Sequence, residues 1–300
     1  MFIKVIRQLK RNIKQQIYLF YIRNFKDFIK LTNKPFISIN NFKKLSNHVY
    51  SKNKKFNLNK LKMNDIIFLE IENLNSFVEH VVNNIEVKIN LLIQNSNIVI
   101  VEESLNNLLS KNLVIFAQNM NLDIEKYENL HVLPTGFKNR NLIRNAKIKN
   151  YLNVSREKVK KNNIFISIDF SKHKNRLDLL KLIFKNEIFV FNRYSEHKTF
   201  LNEMSKYKFV ACPRGTKIDT VLIWECLYVK SIPVLLKTDF SKNLKHLGIP
   251  ILEVERWEDI LLFSETELNN FYQLESEKFL NNEFSSFLFW DKYIKDNLTN

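Results

Sequence analysis

From Ile66 onward, short apolar runs alternate with stretches of helical period. The runs Ile66–Ile71, Ile89–Ile93 and Val114–Ala117 are separated by Ser76–Asn84 and Glu103–Leu109, whose apolar positions recur every three or four residues. Short continuous runs of this kind read as buried strands, and strands separated by helices imply a parallel sheet. A last run, His131–Leu133, ends in the turn signal Pro134-Thr135-Gly136. Residues Lys138–Asn163 are rich in Lys, Arg and Asn and read as a linker. Beyond it the alternation resumes, with strands predicted at Ile164–Ile168, Ile188–Phe191, Phe209–Ala211 and Ile232–Leu235. Helices fall between them at about 175–184, 197–206 and 220–229, a doubly wound βαβ series. After Trp257 the pattern is helical to the end, and no repeat of fixed period occurs. The expectation is two α/β domains, 1–150 and 151–300, facing a cleft lined by the carboxyl ends of both sheets, where ligands bind.

Composition narrows the class. With 45% hydrophobic residues, 25 Phe, three Gly and five Pro, the chain is neither disordered nor collagen-like. The net charge of +16 suits an anionic partner such as nucleic acid, anionic lipid or a phosphorylated substrate. Lys, Asn, Ile and Phe are enriched together, however, and the lysines are scattered, so the charge reads as a coding bias and no nucleic-acid partner is expected. Cys212 and Cys226 are spaced for neither a CxxC pair nor a zinc site, and no metal site is expected. No apolar run approaches membrane-spanning length, which predicts a reduced, cytoplasmic chain. The first 30 residues alternate basic and apolar positions, fitting either a helix docked on the first domain or one lying on the inner membrane face.

Chemistry concentrates in Phe209–Leu235, read as strand, polar turn, helix and strand. The turn holds Gly215, preceded by Pro213 and Arg214 and followed by Lys217. At a strand's carboxyl end, such a turn meets a helix N-terminus whose free N–H groups and dipole favour an anion. Gly215 permits close approach or positive φ, Arg214 offers a fork to phosphate oxygens, and Lys217 adds a mobile charge. A plain connecting turn is the competing reading. Asp219 reads as a helix cap or as an orienting partner for Arg214. The following helix, Val221–Val229, is apolar all round except at Glu225, so Glu225 needs a partner: ribose hydroxyls, solvent or a cation. In the first half, Gln94-Asn95-Ser96-Asn97 and Gln118-Asn119 follow strands and face the same supposed cleft, as ligand groups for a polyhydroxylated molecule or as ordinary turn chemistry. Glu79-His80 is a candidate acid/base pair whose alternative is structural.

With these residues in place, the chain resembles the exostosin-like glycosyltransferases, particularly the short cytoplasmic forms of bacteria and large viruses. The matching pieces run in order over about residues 66–260: LLIQNSN at 91–97, VIFAQN at 114–119, VLPTGFKN at 132–139, ISIDFSKHKNR at 166–176 and MSKYKFVACPRGTKIDTVLIWECLYVKSIPVLL at 204–236. The last is the most specific. The resemblance implies a GT-B fold, two Rossmann-like domains facing an interdomain cleft, and a metal-independent, inverting sugar transfer without a cofactor. It implies a nucleotide-sugar donor held by Arg214, Gly215, Thr216, Lys217, Thr220 and Glu225, with Arg214 and Gly215 at the diphosphate and Glu225 at the ribose. A glycan or glycolipid acceptor would lie near Asn95, Ser96 and Asn119. The chain departs from the family form GxGIDTHRxWE, with Lys217 for the second glycine and Val221-Leu222 for His-Arg. It departs from THNSD too, with Gln94 for His and Asn97 for Asp. A phosphate cation and a base are thereby lost; the general base is unassigned, with Asp123, Glu102 and Glu79 as candidates.

Overall fold

The computed structural model describes residues 36–51, 56–94, 97–111, 113–137, 150–151, 154, 159–281 and 283–298. The basic N-terminal stretch, Asn95, Ser96 and most of the linker lie outside them.

The first sheet contains β1 (His48–Val49), β2 (Ile66–Leu69), β3 (Asn90–Ile93), β4 (Val114–Gln118) and β5 (Leu130–Leu133). Its order is β1-β2-β3-β4-β5 and every pairing is parallel. Every position of β2, β3 and β4 is buried, as a sheet covered on both faces requires. That is why these strands read in sequence as unbroken apolar runs. The α-helices of this half among the described residues are α1 (Ile39–Leu45), α2 (Leu74–His80) and α3 (Glu102–Leu109).

The second sheet contains β6 (Lys161–Ile166), β7 (Phe189–Phe191), β8 (Tyr207–Ala211), β9 (Ile232–Leu236) and β10 (Leu252–Val254). Its helices are α4 (Asn175–Ile183), α5 (His197–Met204), α6 (Val221–Tyr228) and α7 (Asp239–His246), followed by α8 (Glu265–Ser276) and α9 (Phe287–Asp296). All pairings are parallel and the order is β10-β9-β8-β6-β7. Winding therefore reverses at β6, whose neighbours are β7 and β8. The loops leaving adjacent β6 and β8 diverge to opposite faces there and open a crevice at their carboxyl ends. Among the described residues the first sheet is wound in one direction throughout and has no such point. Two parallel α/β units, the arrangement expected from the sequence, thus meet at a cleft, and the switch-point crevice belongs to the second unit.

The last helix crosses back to the first unit. Phe287 packs edge-on against Phe42 at 5.4 Å, and Tyr293 against His131 at 5.9 Å. Trp290 meets Trp224 of α6 at 5.7 Å, so α9 touches both units. Burial pushes the His131 imidazole down to about 4, leaving it a neutral ring stacked on Phe116 at 4.8 Å.

Polar joints fix the two units to each other. Asn119, just past β4, has φ 57°, a left-handed conformation that Asn tolerates better than most residues. Its Oδ1 accepts from the N–H groups of Ile218 at 2.9 Å and Asp219 at 3.2 Å, while its Nδ2 donates to the Ile98 carbonyl at 2.6 Å. On α7, Asn243 Nδ2 donates to Leu122 O at 2.6 Å and its Oδ1 accepts from Ile124 N at 3.2 Å. Lys242 adds an ion pair with Asp123 at 2.8 Å. Both cysteines are free and buried, and His80 Nδ1 bonds the Ser76 carbonyl at 2.7 Å in an exposed position.

Candidate functional site

The interdomain cleft has a volume of about 1390 Å³, above the ~300–1,000 Å³ usual for a pocket that holds one small ligand. Its second-unit wall carries Ser167–Asp169 beyond β6, Arg176 on α4, Tyr194, Ser195 and His197 beyond β7, and the turn after β8 running into α6. Its first-unit wall carries Lys43, Glu70, Glu72, Asn73, Asn97 and Thr135.

Of the second-unit residues expected from sequence, Gly215, Thr216, Lys217, Thr220 and Glu225 line this cleft. Arg214 does not. Its Nε is buried without a partner, burial lowers its pKa, and its carbonyl accepts from Arg176 Nε at 2.8 Å. The guanidinium that reaches the cleft is Arg176. It donates in addition to Asp169 O at 2.7 Å and Pro213 O at 3.2 Å. These three carbonyls belong to the loops leaving β6 and β8, so Arg176 bridges the two lips of the switch-point crevice. A guanidinium has five N–H donors, and three carbonyl bonds leave two for a ligand. Burial lowers its pKa, but a guanidinium keeps its charge in proteins.

Gly215 owes its place to Arg176. Its φ is not in the left-handed region; instead, a Cβ there would sit 3.1 Å from Arg176 Nη2. Close approach, not positive φ, is what the turn requires of glycine. Next comes the N-terminus of α6, where Thr220 is extended and makes no side-chain cap; its Oγ1 is buried with no partner. Uncapped N–H groups at a cleft wall are a ready anion site. Lys217 lines the same stretch.

Asp219 caps nothing and does not orient Arg214. It is fully buried; Oδ1 accepts from Trp224 Nε1 at 2.7 Å and Oδ2 from the Thr135 backbone N–H at 2.5 Å, across the domain boundary. Desolvation outweighs these bonds and raises its pKa from 3.8 to about 6. The sign follows from linkage. Between those values the folded chain holds a proton that the unfolded chain has released, so this group makes stability fall as pH rises from about 4 to about 6. The stability advantage of the wild type over Asp219→Asn, measured by urea midpoints, is expected to shrink across that window and level off above it. A difference that grows with pH would mean that Asp219 is held ionised.

Glu225 sits on the otherwise apolar α6, and its partners are a phenol and an imidazole. Its Oε1 accepts from Tyr151 Oη at 2.8 Å and contacts His197 Nε2 at 2.8 Å. Burial and the neighbouring carboxylate raise the Tyr151 pKa, keeping the phenol a donor. Tyr151 lies in the stretch read as linker, and His197 at the start of α5; sequence gave no reason to pair either with Glu225.

In the first unit, Asn97 lines the cleft, whereas Asn95 and Ser96 lie outside the described residues. Asn119 is buried and its amide is occupied by the interdomain joint, so it is not placed to hold an acceptor. Gln94 is buried, donating to Pro134 O at 2.8 Å. Gly136 in the same loop has φ 63°, and a Cβ there would lie 2.4 Å from Ile37 Cγ2, so Thr135 enters the cleft from a turn only glycine can complete. None of Asp123, Glu102 and Glu79 lines the cleft: Asp123 pairs with Lys242 and Glu102 accepts from Tyr127. The carboxylates on that wall are Glu70, paired with Lys43 at 3.4 Å, and Glu72, both just beyond β2 and unmarked by any motif.

No family model and no curated protein matches the chain. Among solved structures it is similar to a sucrose-phosphate synthase from Thermosynechococcus elongatus, at 9% identity and TM-score 0.41, covering 77% of this chain and 72% of that one. It is similar also to an alpha,alpha-trehalose-phosphate synthase (UDP-forming) from Burkholderia vietnamiensis, at 10% identity and TM-score 0.39, covering 79% and 75% respectively. Among the described residues no helix is long and apolar enough to cross a membrane.

Proposed function

We propose that this chain is a glycosyltransferase that moves a sugar from a nucleotide-sugar donor onto a glycan or lipid-linked acceptor. The observation that carries this reading is the ordered polarity of one cleft wall. Arg176, Lys217 and the uncapped α6 N-terminus form a cationic end. Glu225 lies one helical turn further on, about 6 Å along the axis, a spacing suited to a diphosphate and the ribose attached to it. The likeness of residues 204–236 to the exostosin-like family supports the same assignment.

In this reading the acceptor hydroxyl attacks the anomeric carbon from the face opposite the diphosphate, which inverts that centre. The new C–O bond forms as the C–O bond to phosphate breaks, and its electron pair leaves on the diphosphate. Arg176, Lys217 and the α6 N–H groups stabilise that charge, so no metal is required. The acceptor proton passes to a carboxylate of the first-unit wall, Glu72 or Glu70. A basic N-terminal stretch would bring the chain to lipid-linked acceptors at the cytoplasmic face of a membrane.

A second reading, a GT-B protein that binds nucleotide or glycan without turnover, is favoured by Val221-Leu222 at the α6 N-terminus and by the buried Gln94. Two measurements separate the readings. UDP or GDP should raise the melting temperature, and Glu225→Ala should abolish the rise; no shift with any nucleoside diphosphate would overturn donor binding altogether. Release of sugar from the responding donor above the buffer rate is expected of the transferase and excludes the binding-only reading.

A further inference from the structure

Local chemistry gives the N-terminus of α6 two ready capping residues, Asp219 and Thr220, and neither caps it. Thr220 takes the N-cap position without a side-chain bond. Asp219 is held on three sides instead. Its Oδ1 accepts from Trp224 Nε1 at 2.7 Å within α6, its Oδ2 accepts from the Thr135 N–H at 2.5 Å in the first unit, and its own N–H donates to Asn119 Oδ1 at 3.2 Å. The carboxyl group is thereby committed to the joint between the units, and the first N–H groups of α6 are left without a side-chain cap at the cleft wall. Asp219 is nonetheless one residue from Thr220 and two from Lys217, both on that wall, so it stands directly behind the place assigned to the diphosphate. Consecutive Cα atoms lie about 3.8 Å apart, so two negative charges would meet there at short range.

We propose that Asp219 is a positioning residue for the donor: it keeps the α6 N-terminus open by bonding across the joint, and it takes up a proton as the diphosphate binds. The inference rests on the donor reading given above and deepens it, because it adds a proton to what the donor site binds. The groups facing the carboxyl set the direction. From α6 comes the Trp224 indole, from the first-unit loop Thr135, and from the turn itself Lys217, the cation that favours the ionised form. Asn119, at the end of β4, is neutral and bonds only the backbone of this turn. Burial outweighs the partners that favour ionisation and sets the group at about 6 in the free protein. A diphosphate engages Lys217 and adds negative charge of its own, so ionisation becomes harder still. A group whose pKa is higher in the complex than in the free protein binds a proton when the complex forms, in a pH window that opens at about 6. Affinity is therefore greatest below that window, falls as pH rises through it, and levels off above the value reached in the complex. A protonated carboxyl keeps acceptor capacity, so the joint survives the change.

The test is calorimetry of UDP and GDP binding near pH ~7, in two buffers that differ in ionisation enthalpy, so that protons exchanged on binding are counted. The nucleotide's own phosphate, with a second pKa of about 6, is mostly ionised there. The wild type is expected to show net proton uptake. Asp219→Asn keeps the shape of the side chain and cannot titrate, so it should bind without that uptake. Its affinity relative to the wild type should rise about tenfold from about pH 5 to about pH 8, the change that a one-unit shift at Asp219 produces. Groups common to both proteins, and the nucleotide itself, cancel in that ratio. A merely structural Asp219 would lower the variant's affinity by one factor at every pH. Equal proton uptake by the two proteins, or a ratio that does not move with pH, overturns the inference. The wild-type count needs no substitution, and its failure to show uptake overturns the inference however the variant folds. Those outcomes leave the donor reading intact; failure of every nucleoside diphosphate to bind the wild type overturns the donor reading, and this inference with it.

Discussion

Replacing Arg176 by Met is expected to lower donor turnover by about 10²–10³-fold, the range seen when one preorganised charge-stabilising donor is removed from an active site. The reason lies in how the side chain is held. Its three carbonyl bonds come from Asp169, Pro213 and Arg214, so the guanidinium is fixed before any ligand arrives and needs no reorganisation as charge develops on the departing diphosphate. Arg176→Lys keeps the charge but cannot span both lips of the crevice, and it should recover only a small part of the loss. Nucleotide affinity and turnover are to be measured together. A Met variant that binds UDP or GDP as tightly as the wild type, and turns over as fast, would place the diphosphate elsewhere. A parallel Arg214→Met variant should have a much smaller effect on nucleotide binding, because that side chain does not line the cleft.

The largest effect on stability is expected at Asn119. Asn119→Ala leaves the Ile218 and Asp219 N–H groups without their shared acceptor, each at roughly 1–3 kcal/mol. It also places a Cβ without a local hydrogen bond at positive φ, for roughly 1 kcal/mol more. Together these give a loss of about 3–7 kcal/mol, readable as a lower urea midpoint. Asn119→Gly relieves the backbone but not the bonds and should recover only about 1 kcal/mol of it. Because the two N–H groups lie on the turn that leads into α6, the Ala variant should also weaken nucleotide binding. Full stability of Asn119→Ala would show that the joint is not needed to hold the turn.

Much of this was legible along the chain. The apolar runs that became β2, β3, β4, β6, β8 and β9 are buried on both faces, and that burial is what makes a run continuous rather than alternating. Glu225 stood out because a lone carboxylate on an apolar helix must find a partner, and Gly215 because so few glycines are present. Arg176 did not stand out, since in an Arg- and Lys-rich chain nothing local marks one cation as special. What singles it out is the meeting of three carbonyls from segments some forty residues apart in sequence. Asn119 and Asp219 failed as local readings for the same reason. Asn after a strand reads as a turn residue, and Asp before a helix as a cap, yet each bonds across the domain boundary.

The sequence by itself determined the α/β alternation, the parallel sheets, the buried α6 with its single carboxylate and the glycine-bearing polar turn before it. All of these rest on periodicity and near-neighbour chemistry, which act within a few residues. Only the tertiary structure decided which cation stands beside the turn, which side chains hold Glu225, and that Asn119 and Asp219 join the two units. The physical reason is the reversal of winding at β6. It brings the ends of β6 and β8 side by side and opens a crevice there, and a strand order is written in no local stretch of the chain.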